Sequence, residues 1–151
     1  MTCQHRHRII CVGNRYVPGD DVGPRVYDCL LRRDLPVHVC AVDGGLMGLD
    51  LLRFVEGAQR VVFVDALPGF APPGRTVVLR HRAALEERPA AYGHDGGLAC
   101  LLRMLPAVCT GELPEIVLVG SEPPADADLI EQLADLSLRI ATGAIAQESR
   151  P

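Results

Sequence analysis

The sequence predicts a three-layer α/β/α sandwich built on a five-stranded, mostly parallel sheet with one antiparallel edge strand. Short apolar runs alternate with stretches whose apolar residues recur at helical spacing, as in strand–helix–strand units. The run Val61–Val64 is continuously apolar, which is typical of a strand buried on both faces. The proline-rich segment 67–74 leaves no room for a crossover helix, so the strand after it should pair antiparallel at a sheet edge.

Five apolar runs are expected to form the strands. In chain order they are Arg8–Val12, Val37–Val42, Arg60–Val64, Arg75–Arg80 and Glu115–Val119. Turn-forming residues separate these runs from their neighbours; Pro36, for example, breaks the chain before the second strand.

Four segments have apolar residues on one helical face and are expected to be helices. They are Pro24–Arg33, Met47–Glu56, Gly96–Leu105 and Asp126–Thr142. Gly57 should stop the second helix and Pro106 should end the third, because neither residue favours continuation of a helix. Asp126 or Asp128 can cap the last helix. Residues 81–93 are expected to form a loop or a short helical piece.

Composition indicates a single soluble domain over residues 1–151, with residues 1–7 and 143–151 as loose termini. Hydrophobic residues make up 48% of the chain and charged residues 23%, as in an ordinary globular protein. A net charge of −4 with scattered arginines argues against a nucleic-acid-binding face. No apolar run approaches the roughly 20 residues of a membrane span. We therefore expect a cytoplasmic protein with neither nucleic-acid nor membrane partners.

The cysteines are consistent with that compartment. There are six of them and no C-x-x-C pair, so neither a zinc ribbon nor a thioredoxin-like motif is indicated. Cys11, Cys40 and Cys100 lie in apolar stretches, where a thiol behaves as a small hydrophobic side chain. We predict that they are reduced.

Acidic residues follow the first three expected strands. Asp20 and Asp21 come after the first, Asp43 after the second and Asp65 after the third, and His94 precedes the third helix. Because parallel strands end at one edge of a sheet, these side chains can converge there. Two carboxylates and one imidazole suit a divalent metal with an open position, which can polarise a carbonyl and activate water.

Each residue also has a structural interpretation that the sequence leaves open. Asp20 or Asp21 could cap the first helix, and Asp43 with two glycines could form a tight turn. His94 could be an ordinary residue at a helix start. Asp65 is harder to explain without a partner, because an acid directly after four apolar strand residues is partly desolvated. A serine nucleophile is not indicated, since the chain lacks a G-x-S-x-G elbow.

Several short segments together resemble those of a known family. They are Gly13-Asn14, Gly19–Pro24, Asp43–Gly48, Val64–Ala66, His94–Leu98, Thr110–Pro114 and Val117–Gly120. In this order and spacing, over residues 8–140, the sequence resembles the hydrogenase maturation endopeptidases. These enzymes trim the C-terminus of the large subunit of nickel–iron hydrogenases.

The resemblance implies roles for individual residues. Asp20, Asp65 and His94 match the family's metal-binding and catalytic positions. They would engage nickel that is already inserted in the substrate, a hydrogenase large-subunit precursor, and a metal-activated water would cut its C-terminal extension. The Asp43-Gly44-Gly45 turn would help to hold the substrate segment.

Three features depart from the family pattern. Cys11 stands where glycine is usual, and the segment after Gly120 is short. The acidic loop reads Gly-Asp-Asp-Val-Gly, so Asp21 is an alternative ligand to Asp20. Counting from Asn14, or back from Gly23, favours Asp20.

Two other functions remain open at this stage. A peptidyl-tRNA-hydrolase-like esterase also has Gly-Asn after its first strand, although it normally needs a basic groove for tRNA. A chaperone that binds the nickel-loaded precursor without cutting it is also consistent with the altered acidic loop.

Overall fold

The computed structural model describes residues 5–80 and 97–144 of the 151-residue chain. Its strands are β1 (His7–Val12), β2 (Val39–Gly45), β3 (Arg60–Ala66), β4 (Thr76–Arg80) and β5 (Glu115–Ser121). Its α-helices are α1 (Val22–Leu31), α2 (Leu52–Val55), α3 (Gly97–Val108) and α4 (Ala127–Thr142), and a 3-10 turn at Gly48–Leu51 leads into α2. None of the described helices is long and apolar enough to cross a membrane.

The strands form one sheet in the order β2-β1-β3-β5-β4. The first four strands in that order run parallel, and β4 pairs antiparallel with β5 at the edge. Both the predicted fold class and the predicted antiparallel edge strand are confirmed.

Two apolar layers cover the two faces of the sheet. Along β3, Val62 and Val64 belong to a buried cluster with α1 and α4, whereas Val61 and Phe63 belong to a cluster with α2 and α3. Alternate residues of a strand point to opposite faces, so a continuously apolar strand is buried on both sides. This produces the three-layer arrangement.

Three strands continue further than the sequence predicts. Asp43, Gly44 and Gly45, expected as a turn, lie inside β2, where Asp43 pairs with Cys11 of β1. Asp65 lies inside β3 and pairs with Gly120 of β5, which itself extends to Ser121. Backbone N–H and C=O groups make the hydrogen bonds between strands. A polar side chain at the solvent-exposed end of a strand therefore does not end the strand.

The helix boundaries also differ. Pro106 lies inside α3 and does not end it, because proline removes only one hydrogen bond and the Cys109 N–H still donates to the Leu105 carbonyl at 2.9 Å. Helix α1 begins at Val22, two residues before the predicted start. Asp126 is the cap of α4; its carboxylate accepts a bond from the Leu129 N–H at 2.8 Å. The predicted loop over 81–93 lies outside the described residues.

The ends of the chain are ordered further out than expected. His7, placed in the loose leader by the sequence, is the first residue of β1. Gly143 has a φ of 77° and closes α4, with its N–H on the Ile140 carbonyl. Cys40 is disulfide-bonded, contrary to the predicted reduced thiol. It is only half-buried, on the edge strand β2, and so is accessible from the side.

Candidate active site

Asp65 lies at the carboxyl end of the central strand β3. Its side chain points to the same face as Val61 and Phe63, which is the face covered by α3. The residue is half-buried, so its carboxylate is partly withdrawn from water. Helix α3 begins on this face at Gly97.

The loop between β1 and α1 closes on itself through Asp20. The Asn14 N–H donates to the Asp20 carbonyl at 2.9 Å and to its Oδ2 at 3.1 Å. Asn14 Oδ1 accepts a bond from the Tyr16 N–H at 3.0 Å, which makes an Asx turn. Gly13 allows this closure, because its φ is +134° and a Cβ there would lie 2.3 Å from the Asp20 carbonyl. The loop therefore fixes the Asp20 carboxylate.

Asp20 and Asp65 interact electrostatically. Burial raises the pKa of Asp65 well above its usual range, and the negative charge of Asp20 raises the Asp65 pKa further. A hydrogen bond to the Ala66 backbone opposes both effects in part. Two carboxylates in this arrangement favour either a shared proton or a bound cation, since both relieve the repulsion.

Two glycines let the surrounding backbone approach closely. A Cβ at Gly23 would lie 1.9 Å from the Val12 carbonyl, so α1 begins directly against the end of β1. A Cβ at Gly120 would lie 1.9 Å from the Asp65 carbonyl, so β5 holds β3 at the same level. These contacts fix the ends of the strands that carry the acidic residues.

Asp43 lies on the other side of β1 from Asp65, since β2 and β3 flank β1. Its side chain is exposed, whereas Gly44 is buried against β1, where a Cβ would lie 3.0 Å from the Cys11 carbonyl. The Gly13 N–H donates to the Gly45 carbonyl at 3.0 Å and links this segment to the Asp20 loop. Asp43, Gly44 and Gly45 therefore flank the acidic pair and are not part of it.

The positions of Asp21 and Cys11 indicate structural and not catalytic roles. Asp21 is the N-cap residue of α1, although its side chain makes no capping hydrogen bond. Cys11 is fully buried in β1, and burial raises the pKa of its thiol. A buried, protonated thiol is a poor nucleophile.

An ion pair that no sequence pattern indicates connects the Asp20 loop to α1. Arg15 binds the Asp28 carboxylate of α1 with two hydrogen bonds, of 2.8 and 3.1 Å. The hydrogen bond from Arg15 lowers the pKa of Asp28. No periodic pattern marks either residue, because their contact depends on the path of the loop.

Asp20 and Asp65, two of the three predicted metal ligands, lie in the described part of the chain. Within 5–80 and 97–144, no group of three or more His, Cys, Asp or Glu side chains could hold a metal ion. The Asp20–Asp65 pair offers carboxylate oxygens, which suit a divalent cation that has further ligands. His94, the predicted third ligand, lies outside the described residues.

Sequence and fold comparisons agree on the relatives of this chain. Residues 24–140 match the family model for hydrogenase maturation protease. The hydrogenase expression/formation protein HoxM of Cupriavidus necator is 32% identical over 120 residues, covering 74% of this chain and 56% of HoxM. The hydrogenase 2 maturation protease of Escherichia coli is 32% identical over 123 residues, covering 76% of this chain and 71% of that protein.

A solved structure gives the same result. The hydrogenase maturating endopeptidase HybD from E. coli superposes with a TM-score of 0.70 and 26% identity, covering 92% of this chain and 91% of HybD. The chain thus matches nearly the whole of HybD but little more than half the length of HoxM.

Proposed function

Because the chain belongs to the hydrogenase maturation protease family, we propose that it removes the C-terminal extension of a nickel–iron hydrogenase large-subunit precursor after nickel insertion. The proposal includes the cytoplasm as the place of action. The observation that supports a site for it is that the negative charge of Asp20 raises the pKa of the half-buried Asp65 at the carboxyl end of β3.

Asp20 and Asp65 would receive the nickel that arrives as part of the substrate. The repulsion between the two carboxylates favours a cation between them. The hydrogen bond from the Asn14 N–H holds the Asp20 carboxylate in one position. Asp20 is preferred to Asp21 as the ligand because it is the residue whose charge acts on Asp65. His94 would complete the set.

The nickel centre would supply the Lewis acid that polarises the scissile carbonyl and activates water. The chain's own carboxylates would accept a proton from the attacking water and return it to the departing amine. Before substrate arrives, the raised pKa of Asp65 favours its protonated form. When the cation is bound, that proton is released, and both carboxylates can then act as ligands. The Asp43-Gly44-Gly45 segment, tied to the loop through Gly13, would hold the substrate chain beside them.

Two substitutions test the assignment of the site. Asp65→Asn and His94→Ala should each abolish loss of the C-terminal extension, because each removes a ligand. Asp21→Asn is the matched control and should process the precursor as the parent does. Intact mass of the nickel-loaded precursor is the measurement, with the thermal unfolding midpoint as a check on folding. Full processing by either ligand variant would contradict the assignment.

The alternatives predict different outcomes in the same assay. A non-cleaving chaperone would bind the nickel-loaded precursor and leave its mass unchanged. An esterase acting on peptidyl-tRNA would neither bind nor cut it and would bind tRNA at low salt, where such binding is strongest.

A further inference from the structure

Two exposed apolar segments follow the carboxyl ends of the neighbouring strands β1 and β2. Tyr16 and Val17 lie in the β1–α1 loop, and Leu46, Met47 and Leu49 follow β2; all five side chains are exposed. We call these five residues the apolar rim. Its most exposed member is Tyr16, with 87% of its surface accessible. The other described aromatic residues, Tyr27, Phe54, Phe63 and Phe70, are buried or half-buried.

The backbone brings the two segments together. The Gly13 N–H donates to the Gly45 carbonyl at 3.0 Å, so the segments start from a shared hydrogen bond. Arg15 lies within electrostatic reach of both Tyr16 and Asp43. Hydrogen bonds from the Tyr16 N–H and the Val17 N–H to Asn14 hold the first segment in a turn that presents its side chains outward.

We propose that the apolar rim docks an apolar surface of the folded, metal-loaded precursor while the scissile segment lies across the Asp20–Asp65 pair. This inference rests on the proposed function and adds to it a second point of contact with the substrate. Exposed apolar side chains grouped at one end of a sheet are typical of interaction sites, and tyrosine is enriched among the residues that dominate binding energy.

Charge favours this partner over a second copy of the chain. The edge beside the rim has the carboxyl groups of Asp20, Asp21 and Asp43. Against these, among the described residues, the rim has one arginine, Arg53, whose guanidinium lies 4.0 Å from the Met47 sulfur, since Arg15 is already paired with Asp28. In a two-fold dimer formed through the rim, two acidic edges would face each other, and like charges across an interface are unfavourable. A partner that carries a cation next to an apolar surface complements both features.

Steady-state processing of a nickel-loaded precursor, from the organism that makes this protein, tests the proposal. The test variant is Tyr16→Ser with Leu46→Ser. The matched control is Leu31→Ser with Val37→Ser, two exposed apolar residues at the end of α1 and just before β2, away from the carboxyl ends of the strands. We expect the rim variant to raise KM about tenfold with kcat nearly unchanged, as expected when docking contacts are removed. The control should leave both constants unchanged, and both variants should keep the parental unfolding midpoint.

The remaining outcomes separate the two proposals. If the parent cleaves and the rim variant has the parental KM, the rim proposal is wrong and the proposed function stands. A lower kcat at unchanged KM would also overturn it, since the rim would then act on chemistry and not on docking. If the parent neither cleaves nor binds the precursor, the proposed function fails and the rim proposal fails with it.

Discussion

Asp65 is held where its negative charge destabilises the metal-free protein. It is half-buried at the end of β3, and the charge of Asp20 adds to the effect of burial on its pKa. In its charged form a group of this kind does not stabilise the fold, and it is explained by a ligand that needs it. Stability and function should therefore oppose each other at this residue.

The destabilising effect of the Asp65 charge can be measured by comparing the free energy of unfolding of metal-free parent and Asp65→Asn proteins. Because the folded-state pKa of Asp65 is raised, its contribution to stability is present at acidic pH and is lost as pH rises through that pKa. Asparagine is neutral at every pH. The free energy of unfolding of the variant should thus equal that of the parent near pH 4 and exceed it at higher pH. The difference between the two free energies should grow by at most about 1.4 kcal/mol per pH unit.

Chemical denaturation across that pH range provides the measurement. Asp43→Asn, at an exposed aspartate on the neighbouring strand, is the matched control and should change the free energy of unfolding little at any pH. A gap that is absent at neutral pH, or equal at acidic and neutral pH, would mean that Asp65 is not destabilised by its charge.

At the scale of elements, the β1–α1 loop is positioned by contacts with its neighbours. Asn14 closes the loop onto Asp20, Arg15 ties it to α1, and a Cβ at Gly19 would lie 3.8 Å from Pro123 after β5. The loop contains no regular secondary structure, so these contacts must supply its rigidity. The placement of Asp20 depends on them.

A charge reversal tests the Arg15–Asp28 pair as a brace for this loop. Arg15→Glu and Asp28→Arg should each slow processing several-fold, because like or unpaired charges release the loop from α1. The double variant should recover most of the parental rate, since it restores an oppositely charged pair. Unfolding midpoints should change little, as the pair is partly exposed. Single variants with parental rates, or a double variant without recovery, would show that the pair has no such role.

The close contact between β3 and β5 is a second feature at this scale. Gly120→Ala would place a methyl group 1.9 Å from the Asp65 carbonyl and push the strand ends apart. We expect a loss of about 2 kcal/mol in the free energy of unfolding, in the range for overpacked sites, together with slower processing. Urea unfolding and the intact-mass assay are the measurements.

Gly111→Ala isolates the effect of the close contact. Gly111 has a φ of +85° and a Cβ there meets nothing within 4 Å, so alanine adds backbone strain of about 1 kcal/mol without a clash. It should be less destabilising than Gly120→Ala and should process the precursor normally. Equal losses for the two variants would contradict a steric origin.

Across the whole molecule, the features that follow from periodicity could be predicted and those that follow from loop geometry could not. Alternation of strands and helices gave the layers, and the short proline-rich connection before β4 gave the antiparallel edge. The predicted ends of β2, β3 and β5 come before the observed ones. Polar side chains indicate contact with solvent, whereas the hydrogen bonds between strands depend on the backbone.

Some features of the candidate site could also be predicted from the sequence and others could not. The rule that parallel strands end at one edge predicts that Asp20 and Asp65 lie close together, and the charge of Asp20 raises the pKa of Asp65. The Arg15–Asp28 pair and the apolar rim have no periodic signature, so only the folded loops reveal them. His94 lies outside the described residues and stays a prediction.

We expect this protein to cut a precursor only after nickel has been inserted. The deciding measurement is the intact mass of a hydrogenase large-subunit precursor incubated with this protein, with nickel-loaded and metal-free precursor in parallel. One discrete loss of mass from the C-terminus is expected in the nickel-loaded sample and none in the metal-free sample. Equal cleavage of both, or an unchanged mass in the nickel-loaded sample, would contradict a nickel-dependent endopeptidase.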